Sequence, residues 1–294
     1  MNGGVEGLGL LLSGDSIITR PWSHVQNPSF LELVGVIRAA DVSITNLETV
    51  IHEFKGYAQA NSGGAYLASP PEVARELRWA GFDVVAHANN HAFDYGSTGV
   101  LETLEHVERA GLLLAGSGKD LQEARAPRYC HTSNGTLGLV AMASDFVPYG
   151  KASYSRHDMP GRPGINPLTV TGGKRAILVP EPMRERLRFL TKFGLSVRRG
   201  DHYGLILGFQ VDPRDLKANL AAIAEAASKS DIVVASIHAH RQGAWLTKLA
   251  HQAIEHGANI VFMHGPHKVG PIELYRGCPI FYSMGDFVFE IRYV

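Results

Sequence analysis

The chain has 294 residues, of which 45% are hydrophobic, and its 28 Lys and Arg residues balance 28 Asp and Glu residues. This length and composition suit a soluble globular protein of one large or two modest domains. The zero net charge gives no overall field that would attract nucleic acid or an anionic membrane. Two distant cysteines, outside any CxxC spacing, predict no disulfide framework.

The first apolar run is too short to cross a bilayer. Val5–Leu12 has no basic residues before it and ends at Ser13-Gly14-Asp15, as a first core strand would. We therefore expect a cytoplasmic location, unless a leader has been removed, and no membrane insertion. The oligomeric state cannot be predicted from the sequence.

Five short apolar runs each lead into polar residues that bind metals or transfer protons. A strand that is apolar along its whole length is buried on both faces, as in a parallel sheet covered by helices. In such sheets the ligand site lies beyond the carboxyl ends of the strands. The pattern therefore predicts a metalloenzyme with its site at one sheet edge. The runs are Leu8–Leu12 into Asp15, Val42–Thr45 into Asn46 and Glu48, Val84–Ala86 into Asn90 and His91, Ile232–Ile237 into His238, and Ile260–Met263 into His264 and His267.

Segments of helical periodicity alternate with these runs, which predicts an α/β layered sheet. The segment that stops at Gly81 begins with Ser69-Pro70-Pro71-Glu72, a capping-box signature in which Ser69 would be the N-cap. A strand is also predicted at Pro279–Met284, near the end of the chain. The other predicted helices are Phe30–Ala40, one lined by Leu101, Leu104 and Val107, Leu216–Ala227, and Lys248–His256.

Residues 144–210 interrupt this alternation with closely spaced Pro and Gly. We predict a lid or substrate region inserted into a single domain of residues 1–294, with a helix near Glu181–Lys192. A solvated connection without a role is the alternative. Arg156, Arg162 and Tyr154 are the candidate contacts for a substrate carboxylate.

Two segments with carboxylate side chains each allow two interpretations. Asp15 follows Gly14 and could be a hard oxygen ligand or the cap of a following helix. Asn46 and Glu48 project to the same side of an extended segment, because side chains alternate along a strand. A Glu carboxylate can bridge two metals about 3.5–4 Å apart. A surface turn is the alternative for this segment.

The histidines cluster where strands end. Asn89-Asn90-His91 leads to Asp94 in a segment that helix or strand propensity does not explain. The Asn90 carbonyl can bind a metal while His91 remains free for acid/base chemistry. A single histidine is more often structural, but several at strand ends favour a site. The remaining histidines lie in His238-Ala239-His240 and His264-Gly265-Pro266-His267.

These motifs resemble the CapA-type branch of the calcineurin-like metallophosphoesterase superfamily, a branch named for capsule and poly-γ-glutamate synthesis proteins, with lasso-peptide epimerases among its relatives. The resemblance implies two packed mixed sheets flanked by helices, with a metal site at the strand carboxyl ends. The matching stretches run in order over nearly the whole chain. They are Ser13-Gly14-Asp15, Ile44-Thr45-Asn46-Leu47-Glu48, Ala80–Val85, Ala88–His91, Asp94-Tyr95-Gly96, Ser236-Ile237-His238, His264–His267 and Pro279–Phe289.

The resemblance also implies one or two divalent ions. Mn, Zn, Fe and Co all suit the imidazole, carboxylate and amide donors of this chain. Glu48 corresponds to a bridging carboxylate, and His91 to an acid/base group that does not bind metal. The implied metal ligands are Asp15, Glu48, Asn90, His238, His264 and His267.

Three positions depart from the family pattern. Ile17 stands where the general fold has a histidine, which would leave one metal weakly held or absent. His240 replaces the glycine of a His-Trp-Gly motif and is predicted to be a second proton carrier opposite His91. Asp94 is the third predicted catalytic residue. Asp286 is predicted to orient a ligand histidine from behind, and Asn46 to support the ligands in the same way.

We therefore predict a metal-dependent enzyme that performs acid/base chemistry on a peptide or a glutamyl polymer, with epimerisation of a peptide α-carbon as one concrete form. The first alternative is a dinuclear metal phosphoesterase. The second is a non-catalytic assembly protein for a capsule or polyglutamate. No nucleic-acid partner is predicted.

Overall fold

The structure, a computed structural model, describes residues 7–61, 65–177, 196–199 and 202–290. A short 3-10 helix covers Pro148–Gly150. The helices within these ranges are α1 (Pro28–Arg38), α2 (Glu72–Ala80), α3 (Gly96–Arg109), α4 (Leu121–Arg125), α5 (Pro213–Ala227) and α6 (Ala244–Glu255). The helix predicted near Glu181–Lys192 lies outside the described residues.

The strands alternate with the helices in the first and last thirds of the chain. In chain order they are β1 (Leu10–Ile17), β2 (Val42–Leu47), β3 (Val50–Ile51), β4 (Ala68–Ser69), β5 (Val84–Ala86), β6 (Leu113–Ala115), β7 (Ser117–Gly118), β8 (Arg128–Thr132), β9 (Gly135–Ala143), β10 (Gly164–Ile165), β11 (Val170–Ile177), β12 (Ser196–Arg199), β13 (His202–Val211), β14 (Ile232–His238), β15 (Ile260–His264), β16 (Ile272–Tyr275), β17 (Cys278–Phe281) and β18 (Asp286–Phe289).

Two large sheets organise these strands. The first has the order β18-β1-β2-β5-β6, and all of its pairs are parallel. The second has the order β16-β17-β15-β14-β9-β8, with parallel pairs at its centre and antiparallel pairs at both edges. The predicted α/β fold with two packed sheets is therefore confirmed, although only the second sheet is mixed.

The two sheets pack face to face through one apolar cluster. Ile44 and Val84 of the first sheet share this cluster with Val234 and Phe262 of the second. Side chains alternate along a strand, so the neighbours of Val234 point to the opposite face.

Helices cover the outer faces of both sheets. Val233 and Ile237 of β14 pack with α5 and α6, whereas α1, α2 and α3 pack on the outer face of the first sheet. Strands buried on both faces explain the continuous apolar runs of the sequence.

Local sequence signals predicted most element positions but not every boundary. Gly81 ends α2 in the left-handed conformation, with a φ of 107°, as expected for a C-terminal glycine. The predicted cap Ser69 is wrong, because α2 begins at Glu72 after Pro71. Ser69 belongs to β4, where its hydroxyl bonds the Thr49 hydroxyl at 2.9 Å and the carbonyl of Ile18.

The described part of residues 144–210 does not continue the alternation of strands and helices, which agrees with the prediction. Their described part forms the short strand β10, paired with β7, and an antiparallel sheet in the order β11-β13-β12. A lid role for this region stays a prediction. Among the described residues, no helix is long and apolar enough to span a membrane.

Candidate metal centre

The carboxyl ends of β1, β2, β14 and β15 meet at one edge, because these strands are parallel within their sheets. Within the second sheet, His238 lies beside His264 in register. Within the first, Asp15 lies beside Asn46 on one side and Asp286 on the other. The order and direction of the strands therefore bring these polar side chains to one edge, where the sequence pattern predicted that they would meet.

Asp15 lies inside β1, not after it as the sequence suggested. The strand continues to Ile17 because β2 and β18 pair with it on both sides, and the register shifts at Asp15. The Asn46 amide donates to Asp15 Oδ1 at 2.7 Å, and the Gly265 amide lies 3.3 Å from Oδ2. Burial raises the pKa of Asp15, although these hydrogen bonds oppose the shift.

Glu48 is the most unusual group in the site. It is fully buried, and neither carboxylate oxygen has a hydrogen-bond partner among the described residues. Burial, followed by the negative charge of Asp15, raises the pKa of Glu48 well above its usual value. A buried carboxylate without a donor is costly, and a cation beside it would remove that cost.

Two fully buried histidines face these carboxylates. His238 Nε2 lies 3.6 Å from Glu48 Oε1, and His264 Nδ1 lies 3.5 Å from Asp15 Oδ1. Burial lowers the pKa of His264 to about 3, and burial with the nearby His240 lowers that of His238 well below its usual value. Burial therefore favours the neutral form of both imidazoles, which is the form that binds a metal. The Ser236 hydroxyl, 3.1 Å from His264 Nε2, fixes the second ring.

His267 completes this side of the site. Its Nδ1 lies 2.6 Å from Asp286 Oδ1 and 3.6 Å from Asp15 Oδ2. Its backbone is left-handed, with a φ of 53°, which is uncommon outside glycine. Asp286 therefore contacts a predicted ligand histidine, as its expected orienting role requires, and the role itself stays a prediction.

The donors form overlapping groups that fit a divalent metal. Within each group, one ligand atom per residue lies within 4.8 Å of the others: Asp15, Glu48 and His238; Asp15, His267 and Asp286; and Glu48, His240 and His267. Imidazole and carboxylate donors suit Zn, Mn, Fe or Co. The unpartnered oxygens of Glu48 and the neutral imidazoles match such an ion, and the shared carboxylates allow either one or two ions.

His240, predicted as a proton carrier, lies within this donor set. Its Nε2 is 3.3 Å from His238 Nε2 and 3.4 Å from Asn90 Oδ1, which brings the predicted ligand Asn90 to the same point. Asp145 accepts a bond of 2.9 Å from the His240 amide, and Arg241 donates to the same carboxylate at 2.9 Å. The position of His240 therefore suits either a ligand or a proton carrier.

Sequence reasoning missed Asp145. The signal was present, because the apolar run of β9 ends at Ala143 and leads into Ser144 and Asp145, the same pattern as in the five strands described above.

His91 and Asp94 form a hydrogen-bonded pair beside the donor groups. His91 Nδ1 lies 2.8 Å from Asp94 Oδ2, and the Leu67 amide donates to the same oxygen at 2.7 Å. Burial raises the pKa of Asp94, against the effect of the His91 bond. Asn90, the residue before His91, lies 3.4 Å from His240 Nε2 through its side-chain oxygen, so the pair lies close to the centre.

The predicted substrate contacts are occupied elsewhere. Arg156 forms two bonds of 2.9 and 2.6 Å with Asp158, and Arg162 donates to the carbonyl of Lys151. Tyr154 accepts a bond of 2.9 Å from Arg125 on α4. None of these contacts joins the donor groups, so a substrate role for the three residues stays a prediction.

The comparisons with known proteins agree over most of the chain. A family model described as "Bacterial capsule synthesis protein PGA_cap" matches residues 9–291. The chain is 33% identical to "Uncharacterized protein y4sH" of Sinorhizobium fredii over 97% of this chain and 67% of that protein.

Two further relatives carry descriptive names. "PGA biosynthesis protein CapA" of Bacillus subtilis is 27% identical over 87% of this chain and 55% of that protein. "Probable polyglutamine synthesis accessory protein" of Mycobacterium tuberculosis is 29% identical over 85% of this chain and 56% of that protein. The chain thus matches between just over half and about two thirds of these relatives' lengths.

Proposed function

Because this chain belongs to the PGA_cap family of bacterial capsule synthesis proteins, we propose that it is a metal-dependent enzyme of the CapA type. Its substrate would be a peptide or a polyglutamate-like chain. Its reaction would be acid/base chemistry at an α-carbon, with epimerisation as the concrete form. The names of the relatives mention PGA biosynthesis and polyglutamine synthesis, which supports the substrate class.

One observation carries the proposal: the buried Glu48 carboxylate has no hydrogen-bond partner among the described residues, yet lies beside Asp15 and His238. A protein that needed only stability would rarely bury a carboxyl group without a partner. The neutral imidazole favoured at His238 and the unpartnered carboxyl group of Glu48 together suit a divalent cation. When bound, such a cation would polarise a substrate carbonyl and stabilise negative charge on its oxygen.

His91 is the proposed proton carrier. Asp94 accepts the bond from Nδ1 and thereby leaves Nε2 available to the substrate, an arrangement that fixes both the ring and the tautomer. In epimerisation His91 would take the proton from the α-carbon, and the C–H electron pair would move into an enolate. A second group would then return a proton to the opposite face, so that no atoms are gained or lost.

His240 is the proposed second carrier. The Asp145 carboxylate holds its backbone amide, and Arg241 holds that carboxylate in turn. Burial lowers the pKa of His240, which favours the neutral ring. The variant His240→Ala distinguishes the two roles, since loss of turnover with unchanged metal content indicates a proton carrier, whereas loss of metal indicates a ligand.

The test is incorporation of deuterium from D₂O at a peptide or glutamyl α-carbon, followed by mass spectrometry with the metal-loaded protein. We expect deuterium to appear at the α-carbon while the peptide chain is not cleaved. Absence of exchange in every peptide and glutamyl oligomer, with metal bound, would refute the enzyme proposal and favour an assembly role.

We expect His91→Ala to retain its metal and to lose turnover by at least about a hundredfold, the usual scale for a general acid or base. His24→Ala, an exposed histidine outside the site, is the matched control and should behave like the wild type. Full activity of His91→Ala would remove His91 from the mechanism.

A dinuclear phosphoesterase is the second candidate, and one observation favours it. Asp15 belongs both to the group with Glu48 and His238 and to the group with His267 and Asp286, so one carboxylate could serve two ions. Two-metal sites are common in phosphatases. Release of phosphate from a model phosphoester, with no deuterium exchange in peptides, would support this alternative.

A further inference from the structure

A cavity adjoins the candidate metal centre on the side of His267. Its volume is about 380 Å³, and it lies between the start of α6 and the loop that precedes β16. Pro266 and Lys268, the two sequence neighbours of His267, line it, as does Gln242, two residues after His240. Small-molecule sites occupy about 300–1,000 Å³, so the cavity can receive part of a substrate bound at the centre.

The walls of the cavity are largely apolar, and its two charged residues differ in whether they are hydrogen-bonded within the described part of the chain. Pro266, Val269 and Pro271 supply apolar surface. The Glu273 carboxylate is engaged at both oxygens, by His251 Nε2 at 2.8 Å and by the Tyr282 hydroxyl at 2.6 Å. Across the described part of the chain, Lys268 has neither an ion pair nor a hydrogen bond.

We propose that this cavity binds an acidic side chain of the substrate, and that Lys268 recognises its carboxylate. The apolar walls suit the methylene groups of a glutamyl side chain, and the ammonium of Lys268, an exposed lining residue, suits its charge. This inference rests on the proposed function, since it places the substrate chain across the same centre. It also assigns carboxylate recognition to a lysine that the sequence alone did not indicate.

The arginines expected in this role are less suitable. Arg156 is already paired with Asp158, and Arg162 is already bonded to the Lys151 carbonyl. An exposed ion pair contributes up to about 1 kcal/mol, and a substrate carboxylate would have to replace those bonds. Lys268 has no competing partner among the described residues, and in the sequence it directly follows His267, a member of two donor groups.

The test is binding of fluorescein-labelled glutamyl oligomers to the metal-loaded protein, measured by fluorescence anisotropy at low salt. Matched glutaminyl and lysyl oligomers serve as comparison ligands. We expect Lys268→Met to weaken binding of the glutamyl oligomer about fivefold, which is the upper range for an exposed ion pair. Lys268→Glu should weaken it at least about tenfold, because like charges then face each other.

Two comparisons make the test specific. Lys217→Glu, an exposed substitution on α5, changes the net charge equally outside the cavity and should leave binding unchanged. Lys268→Glu should bind the lysyl oligomer more tightly than the wild type does, a reversal that a damaged fold cannot produce. Equal glutamyl affinity in the wild type and Lys268→Glu would overturn the proposal.

The binding readout is independent of turnover. Charge-dependent binding at Lys268 without deuterium exchange would support this subsite while refuting the enzyme proposal. Exchange in the wild type with the same KM in Lys268→Glu would refute the subsite and leave the enzyme proposal intact.

Discussion

The substitution Gly14→Ala tests the geometry that brings the carboxylates together. A Cβ added at Gly14 would overlap the carbonyl oxygen of Gly285 and lie 2.8 Å from the carbonyl carbon. Both atoms belong to the backbone and cannot rotate away. The next residue, Asp15, donates its amide to the same Gly285 carbonyl at 2.9 Å, so the added methyl group would force β1 away from the segment that leads into β18.

The expected cost follows from these contacts. Overpacking in a well-packed core destabilises by about 1–3 kcal/mol, and loss of the Asp15 amide bond adds about 1 kcal/mol. Replacing glycine restricts the unfolded chain and returns about 0.4–1 kcal/mol. We therefore expect a net loss of about 1–3.5 kcal/mol. Metal content should also fall, because Asp15 and Asp286 separate.

Urea unfolding followed by circular dichroism, with metal analysis of the dialysed protein, measures both effects. Gly35→Ala is the matched control, because nothing lies within 4 Å of a Cβ at this exposed helical position. That variant should be more stable by about 0.5–1 kcal/mol, as expected for Gly→Ala in a helix. Gly14→Ala within about 0.5 kcal/mol of the wild type, with full metal content, would refute the reasoning.

Two further predictions concern buried titratable groups. Burial lowers the pKa of His87 from 6.5 to about 4, so the unfolded chain binds more protons between these values. The contribution of neutral His87 to the free energy of unfolding should be complete above about pH 6.5 and should fall by on the order of 3 kcal/mol towards pH 4. The urea midpoint of the wild type should therefore fall more steeply with decreasing pH than that of His87→Gln. If the two midpoints fall in parallel, this assignment is wrong. Glu48→Gln should weaken metal retention at least about tenfold, as measured by elemental analysis after dialysis. The control variant Glu53→Gln, at an exposed position, should retain the metal. Equal retention by both variants would contradict the role of Glu48.

Sequence patterns located the strands because their signal is local. β5 coincides with the apolar run Val84–Ala86 but is shorter than the strand predicted at Phe82–Ala88, and β14 and β15 each extend one residue beyond their apolar runs. A strand buried on both faces must be apolar along its length, and this requirement is visible in consecutive residues. The same logic indicated that the polar residues after each run would meet at one edge.

Local rules failed where a distant partner competes. Ser69 does not cap α2, because its hydroxyl bonds the Thr49 hydroxyl and the Ile18 carbonyl, which belong to distant parts of the chain. Asp15 does not end β1, because pairing with β2 and β18 satisfies the backbone on both sides. A capping motif specifies a preference of about 1 kcal/mol, which buried tertiary contacts readily exceed.

The sequence by itself therefore determined the layered α/β fold, the apolar strands and the kinds of donor at their ends, because burial and side-chain periodicity act within short segments. Only the tertiary structure decided which donors meet. It placed Asp286 beside His267 and Asp15, and it left Glu48 without a donor among the described residues. These outcomes depend on strand order and on long-range pairing, which no local pattern encodes.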